Sequence, residues 1–432
     1  MKSLRKLSKN SVAAPGARHL QLLGLVWLLS VCSPSVAQKT DKLLVNLLRK
    51  SPELFGPMLK NPAQYDVQIL YTQINRDAQN QPTFKTYRYR VDKNRYFYPA
   101  STVKLPAVLL SLEKLNELKK AGKSVGRDTP LLTDSAFVGQ TSVQRDTSAQ
   151  NGLPSVGHYA KKILLVSDND AFNRLYEFMG QCAINERLNA KGYRNLRIVH
   201  RLSVPLMAEQ NRRTNPVRLT NDGQTLVSQP EQICDKTPRS DSLIRRGIGY
   251  MKGDSLVKQP FDFTEKNYFA LEDQQAMLRA VLFPDAVPAR QRFDLTPDDY
   301  QFLYQYLSQV PRETTYPRYD STFYDSYCKF LLAGDSKRMF PRNLRIFNKV
   351  GDAYGYLIDN AYITDFDTGV EFLLSAVIYC NKDGIFNDDA YDYDTVGFPF
   401  MGNLGRVIFD YESRRKRPYK PNFSSFRVKY DK

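Results

Sequence analysis

Histidine is nearly missing from this chain. Three histidines occur in 432 residues, and only His158 and His200 lie beyond the first 37 residues. That is too few for a typical histidine-based metal centre. A Ser-His-Asp arrangement is possible in principle, but neither histidine sits in a motif, so structural positions are the simpler reading for both. Cysteine is scarce as well. Cys32 lies near the N-terminus, and Cys182, Cys234, Cys328 and Cys380 follow without the C-x-x-C spacing of a zinc site. An oxidising compartment permits disulfides among these four, but spacing does not fix the pairing. No apolar run is long enough and suitably flanked for a confident membrane span. No segment has the motif chemistry of a cofactor site, so no cofactor is expected.

Acidic residues are in deficit, 45 against 62 basic ones, giving a formal charge of +17. Removing the five leader charges, Lys2, Arg5, Lys6, Lys9 and Arg18, from +17 leaves +12. Such a surface is attracted to anionic envelope polymers. Nucleic-acid binding would need basic residues interleaved with stacking aromatics in a recognisable module, and none is present. The apolar fraction, 42%, is that of a globular protein, and the length suits a sizeable core.

Residues 1–37 read as a secretory signal. A basic start precedes an apolar stretch from Leu20 to Val31, and Ser35-Val36-Ala37 is a small-x-small cleavage site. Leu29-Ser30-Val31-Cys32 faintly resembles a lipoprotein box, but Val31 is bulky where a small residue belongs. A periplasmic or secreted location is therefore expected, with anchoring through Cys32 the lesser alternative.

Residues 38–63 pattern as an N-terminal helix. Val67–Gln73 and Phe84–Val91 pattern as strands. Helical patterning dominates from about 101 to 220, and Tyr268–Leu282 and Pro297–Leu307 are further helices. Strands return at Leu344–Lys349, Gly355–Ile363 and Val370–Tyr379, with a hairpin turn at Asp365–Gly369 and a terminal helix at Phe398–Tyr411. The predicted class is α+β, with an antiparallel sheet built from both chain ends around a helical block. Residues of about 222–340 read as an insertion enlarging that block. Residues 413–432 read as a basic, loosely held tail after a domain spanning 38–412.

Ser101-Thr102-Val103-Lys104 carries the chemistry. A lysine three residues after a serine, in a first helical turn, shares its face. An amine there can take the proton that makes a hydroxyl nucleophilic. The spacing alone is weak, since Ser111/Lys114 and Ser255/Lys258 share it, and an ordinary helix start with a solvated lysine would produce it. The apolar run Leu105–Leu110 argues otherwise, because it buries the helix and the lysine with it. Ser167-Asp168-Asn169 and Lys349-Val350-Gly351 then follow in order.

Together these motifs resemble the serine β-lactamase and penicillin-binding-protein superfamily, whose signature is S-x-x-K, S-D-N and K-T-G. Pro99 to Lys104 and Leu165 to Ala171 are similar to class A enzymes. The resemblance covers roughly residues 65–412 and is weak between about 200 and 345. It implies a β-lactamase/transpeptidase-like fold and acyl-enzyme chemistry. In that chemistry Ser101 is the nucleophile, Lys104 its base and Ser167 a proton relay to the leaving nitrogen. Asn169, Lys349, Gly351 and Asp352 would bind substrate, with the backbone N–H groups of Ser101 and Asp352 as oxyanion hole. Asp168 reads as a structural residue of its loop.

Two departures qualify the implied function. Val350 replaces the usual hydroxyl residue, and Asp352 places a carboxylate where a substrate carboxylate would sit. The glutamate loop that activates the deacylating water in class A enzymes has no counterpart in about Val199–Pro216, where Glu209 is the sole acid. The leading expectation is a secreted serine hydrolase acting on a β-lactam or a related amide or ester. The alternatives are a D,D-peptidase or transpeptidase on peptidoglycan stems, or a module that binds cell-wall fragments or β-lactams without turnover. The partner in every case is a small β-lactam or peptidoglycan-derived molecule. Oligomeric state has no signature in the sequence.

Overall fold

The computed structural model describes residues 40–432 apart from positions 237, 239 and 241. The expected signal segment and Cys32 lie outside the described residues. Where one N-terminal helix was expected the chain forms α1 (Lys42–Arg49), α2 (Pro52–Lys60) and a single further turn, Pro62–Tyr65. Pro52 causes the first break. It has no N–H to continue α1, but it suits the first turn of a new helix.

Strands β1 (Gln68–Arg76) and β2 (Pro82–Tyr89) follow. The helical block then contains α3 (Lys104–Lys120), α4 (Val156–Val166), α5 (Asn169–Met179) and α6 (Gln181–Ala190). The stretch between α3 and α4 is largely irregular, against the expected helical run. Within the expected insertion, α7 (Leu271–Leu282) and α8 (Pro297–Ser308) form as patterned. Residues 224–233 and 245–262, by contrast, fold into short strands and turns and not into added helix. The chain ends in β3 (Leu344–Ala353), β4 (Tyr356–Asp365), β5 (Val370–Tyr379) and α9 (Phe398–Arg414).

The central sheet runs β3-β4-β5-β1-β2, antiparallel throughout. Its middle is set by apolar strands buried on both faces: every residue of β4 is buried. One face packs under α1, α2 and α9 through Leu44, Phe55, Ile363, Phe372 and Leu404. The other supports the helical block through Phe347, Tyr362 and Leu373. The junction of the chain ends is also ionic. Arg76 on β1 donates to both carboxylate oxygens of Glu371 on β5, at 2.7 and 2.8 Å, and Tyr362 donates to the same carboxylate at 2.9 Å. A buried charge pair persists only when its lone pairs are satisfied in this way.

The tail is not loose. Phe423 and Phe426 are buried, and the Phe426 ring lies 5.4 Å from Phe347 and 5.3 Å from Tyr362. Asp431 accepts hydrogen bonds from Gln305 at 2.8 Å and Thr314 at 3.2 Å. Aromatic burial outweighs the basic, proline-containing composition that suggested disorder.

Candidate active site

Ser101 sits in a tight turn, Ala100–Val103, that leads directly into α3. Ala100 is held at φ 46°, a left-handed conformation that costs a residue with a Cβ about 1 kcal/mol or more. The turn is fixed from one side by Thr102, whose hydroxyl donates to the Pro99 carbonyl at 2.7 Å. Strand β3 fixes it from the other. A Cβ on Gly351 would lie 2.8 Å from the Pro99 oxygen and 2.9 Å from the Ser101 nitrogen, so only glycine lets the strand press against the turn. Gly351, expected to bind substrate, thus also lets the strand lie against the Ser101 backbone.

Lys104 is fully buried. It reaches the joint between α4 and α5, where Ser167 ends α4 at φ 61°. Asp168 caps α5 by accepting from the Ala171 N–H at 2.8 Å, the structural role expected of it. Lys104 Nζ donates to the Ser167 carbonyl, to Ser167 Oγ at 3.2 Å and to Asn169 Oδ1 at 2.7 Å. Lys349 Nζ donates to the same Ser167 Oγ at 2.7 Å and to the Val350 carbonyl at 3.0 Å. With both lone pairs taken, the Ser167 hydroxyl proton is free to point elsewhere. The three motifs therefore meet on one oxygen. Lys349 lies within an edge strand that runs on to Ala353, not at the strand end the sequence suggested.

No hydrogen bond joins Ser101 Oγ to Lys104 Nζ among the described residues. As an ammonium, Lys104 spends its three protons on the three acceptors above; losing one supplies the lone pair that a base needs. Burial drives that loss, pushing the Lys104 pKa well below 10.5, and the nearby Lys349 charge adds to it. Burial likewise lowers Lys349, to about 8. Val350 is buried in the core. The exposed Asp352 lies within electrostatic reach of both lysines. The protein around it pushes its carboxyl pKa up, while Lys349 and Lys104 pull it down.

A buried support beneath β3 escaped sequence reading. Lys329 Nζ donates to the carbonyls of Leu307 (2.9 Å) and Ile346 (2.7 Å) and to Asn348 Oδ1 (2.9 Å). Asn348 donates onward to Asp359 Oδ1 at 2.8 Å, and Asp359 Oδ2 caps the Phe330 and Leu331 N–H groups. This network anchors the residue before Lys349. Only the charged and amide residues in otherwise apolar strands could have signalled it.

The remaining candidates lie apart. Glu209 is exposed in a short helix, Ala208–Arg212, and makes no hydrogen bond or ion pair among the described residues. His200 stacks on Tyr98 at 6.1 Å and pairs its Nδ1 with the Arg201 carbonyl at 2.6 Å. Burial lowers its pKa to about 4. His158 is buried beside Ser148 and Asp146. Cys182 and Cys234 form a disulfide, whereas Cys328 and Cys380 are free and buried. No group of three or more His, Cys, Asp or Glu able to hold a metal occurs among the described residues. No helix among them is long and apolar enough to cross a membrane.

A five-stranded antiparallel sheet drawn from both chain ends, with a helical block inserted between them, defines a β-lactamase/transpeptidase-like protein. The profile of the Beta-lactamase enzyme family matches residues 59–411, and the chain belongs to that family. Similar solved structures include a β-lactamase from Sphaerobacter thermophilus, 13% identical, covering 85% of this chain and 98% of that one, with a TM-score of 0.46. A class A β-lactamase representative from Bacteroides cellulosilyticus is 13% identical, covers 86% and 98%, and has a TM-score of 0.46. PBP-A is 14% identical, covers 86% and 97%, and has a TM-score of 0.47. A search of curated proteins gives no match.

Proposed function

We propose that this chain is a class A β-lactamase-related serine hydrolase that works through an acyl-enzyme on Ser101. The observation carrying the reading is that Lys104, one helical turn from Ser101, and Lys349 both donate to Ser167 Oγ. In the proposed reaction, neutral Lys104 takes the Ser101 proton as Oγ attacks the carbonyl of a β-lactam or a related amide or ester. The backbone N–H groups of Ser101 and Asp352 hold the developing oxyanion. The C–N or C–O bond then breaks, and Ser167 passes the proton from Lys104 to the leaving atom. Asn169 keeps one amide hydrogen for a substrate carbonyl, and Lys349 supplies positive charge. Asp352 works against a substrate carboxylate beside Lys349, which disfavours ordinary penicillins as the best substrates.

The exposed position of Glu209 favours a second reading of the same site, in which the chain acylates readily and releases slowly. Without a base, water loses help that is typically worth about 10²–10⁴-fold. A chromogenic β-lactam, followed in steady state beside intact mass, tests both. An adduct on Ser101 with a burst and little turnover is expected. Rapid turnover that collapses in Glu209→Gln would instead identify an efficient β-lactamase using that acid. Release of terminal D-alanine from a stem peptide would move the assignment to a D,D-peptidase.

A further inference from the structure

Asn169, Asn173 and Glu177 stand four residues apart on α5, and Gln181 and Asn185 continue the interval into α6. Residues spaced in this way share a helix face. Each grips a segment running the opposite way, residues 198–203. Asn185 exchanges two hydrogen bonds with the Ile198 backbone, at 2.8 and 2.9 Å. Gln181 donates to the Val199 carbonyl at 2.7 Å. Glu177 accepts from Arg201 Nε at 2.9 Å. Asn173 exchanges two bonds with the Leu202 backbone, at 2.8 and 3.0 Å. Asn169 Nδ2, last in the series, donates to Ser203 Oγ at 2.8 Å.

This ladder delivers an exposed hydroxyl, held at φ 54°, to the mouth of the site. Lys104 settles which way Asn169 faces, since an ammonium only donates and needs Oδ1, at 2.7 Å. Ser203 then anchors the other end of the amide by accepting from Nδ2. A flipped amide would set N–H groups against an amine donor.

We infer that Ser203 is a positioning residue that decides the fate of the acyl-enzyme; this rests on the acyl-enzyme reading above. Through Asn169 it braces Lys104, and its hydroxyl touches a motif residue directly. Hydrolysis of the acyl group requires water oxygen to bond to the acyl carbon while the bond from that carbon to Ser101 Oγ breaks. Water gives up one proton and Ser101 Oγ regains one. A serine hydroxyl is too weak a base to take that proton at neutral pH, whereas a carboxylate in its place could. The wild type therefore stores the acyl group, and one substitution at position 203 should convert storage into turnover.

The test compares Ser203→Asp, Ser203→Asn and Ser203→Ala in the full chain. Asp and Asn are equal in size and tolerate the left-handed backbone. The probe is a fluorescent penicillin, and the readout is acyl-enzyme lifetime by intact mass. Ser203→Asp should shorten the lifetime at least tenfold, more so as pH rises through the carboxylate range. Ser203→Asn should show neither effect. Ser203→Ala should slow acylation severalfold by releasing Asn169. Equal lifetimes for the Asp and Asn variants, or wild-type acylation by Ser203→Ala, would overturn the inference. If the wild type takes no label, the acyl-enzyme reading fails. Ser203 is then judged by the Lys104 side-chain titration in ¹³C-lysine spectra. A midpoint displaced to lower pH in Ser203→Ala keeps its positioning role, and an unchanged midpoint ends it.

Discussion

Helix α4 carries a serine-and-base cluster at each end, and the two are built to opposite effect. At its start, His158 Nε2 lies 2.8 Å from Ser148 Oγ and 3.4 Å from Asp146 Oδ2. Ser148 Oγ is closer still to Asp146 Oδ1, at 2.6 Å. The serine proton goes to the carboxylate, so the imidazole must donate to the serine and cannot deprotonate it. Serine and acid also crowd one ring nitrogen, where a relay would use both. At the other end, Ser167 takes both Lys104 and Lys349 on one oxygen. Burial with unlike neighbours makes the first cluster a clasp. Burial with like charges makes the second a source of a neutral amine. Residue type alone would have favoured the histidine; the placement of protons reverses the choice.

The largest expected difference is in labelling by a fluorescent penicillin. Ser101→Ala should abolish it, and Ser148→Ala should leave it intact. Label surviving in Ser101→Ala, or lost in Ser148→Ala, would exchange the two roles.

Removing the bases should separate the clusters next. Lys104→Met should slow acylation by about 10²–10⁴-fold, the usual worth of general-base help, while His158→Gln should change it less than twofold. Stopped-flow acylation rates measure both, and comparable losses would dissolve the distinction.

The pH dependence sharpens it further. In the proposed reaction acylation needs Lys104 neutral, so the rate should rise from acid as Lys104 loses its proton. It should fall again above about pH 8, where Lys349 loses its charge. A profile flat from pH 6 to 9 would remove Lys349 from the reaction.

The smallest effect belongs to the clasp. Burial lowers the His158 pKa to about 4, below its ordinary 6.5. Between those values the unfolded chain binds the proton and the folded chain does not. Stability should therefore decline as pH falls from about 6.5 to about 4, by about 3 kcal/mol at most from this group. In His158→Gln, denaturant melts should lose that part of the slope; an identical slope would mean that other groups set the acid limb.

Much of this organisation was legible in the sequence. β4 and β5 are apolar runs between turn signals, and their burial follows directly. The motif residues could be paired in advance because short-range helix geometry sets the distance from Ser101 to Lys104. What escaped depends on long-range contact. Asn169, Asn173 and Glu177 pattern as a solvated helix face, and nothing local shows that residues 198–203 cover it. Nothing adjacent to Ser203 marks it; the four-residue interval of amide and acid side chains was the one available signal. The Cys182–Cys234 pairing and the packing of Phe426 were equally hidden, since each joins segments whose separation the sequence leaves open.

The placement of β1 against β5 bears on the order in which the chain is made. A growing polypeptide offers Ser101 and Lys104 early, but Lys349 and the strand that braces the Ser101 turn come more than 240 residues later. Until β3, β4 and β5 are complete, β1 lacks its inner partner. Gly351 cannot press on the turn, and Lys104 is neither buried nor crowded by a second charge. An unfinished chain therefore carries a serine with an ordinary hydroxyl and a lysine with an ordinary ammonium. In the proposed acyl-enzyme reaction, reactivity would arrive only with these three strands, so the order of synthesis would act as the safety catch on the proposed nucleophile.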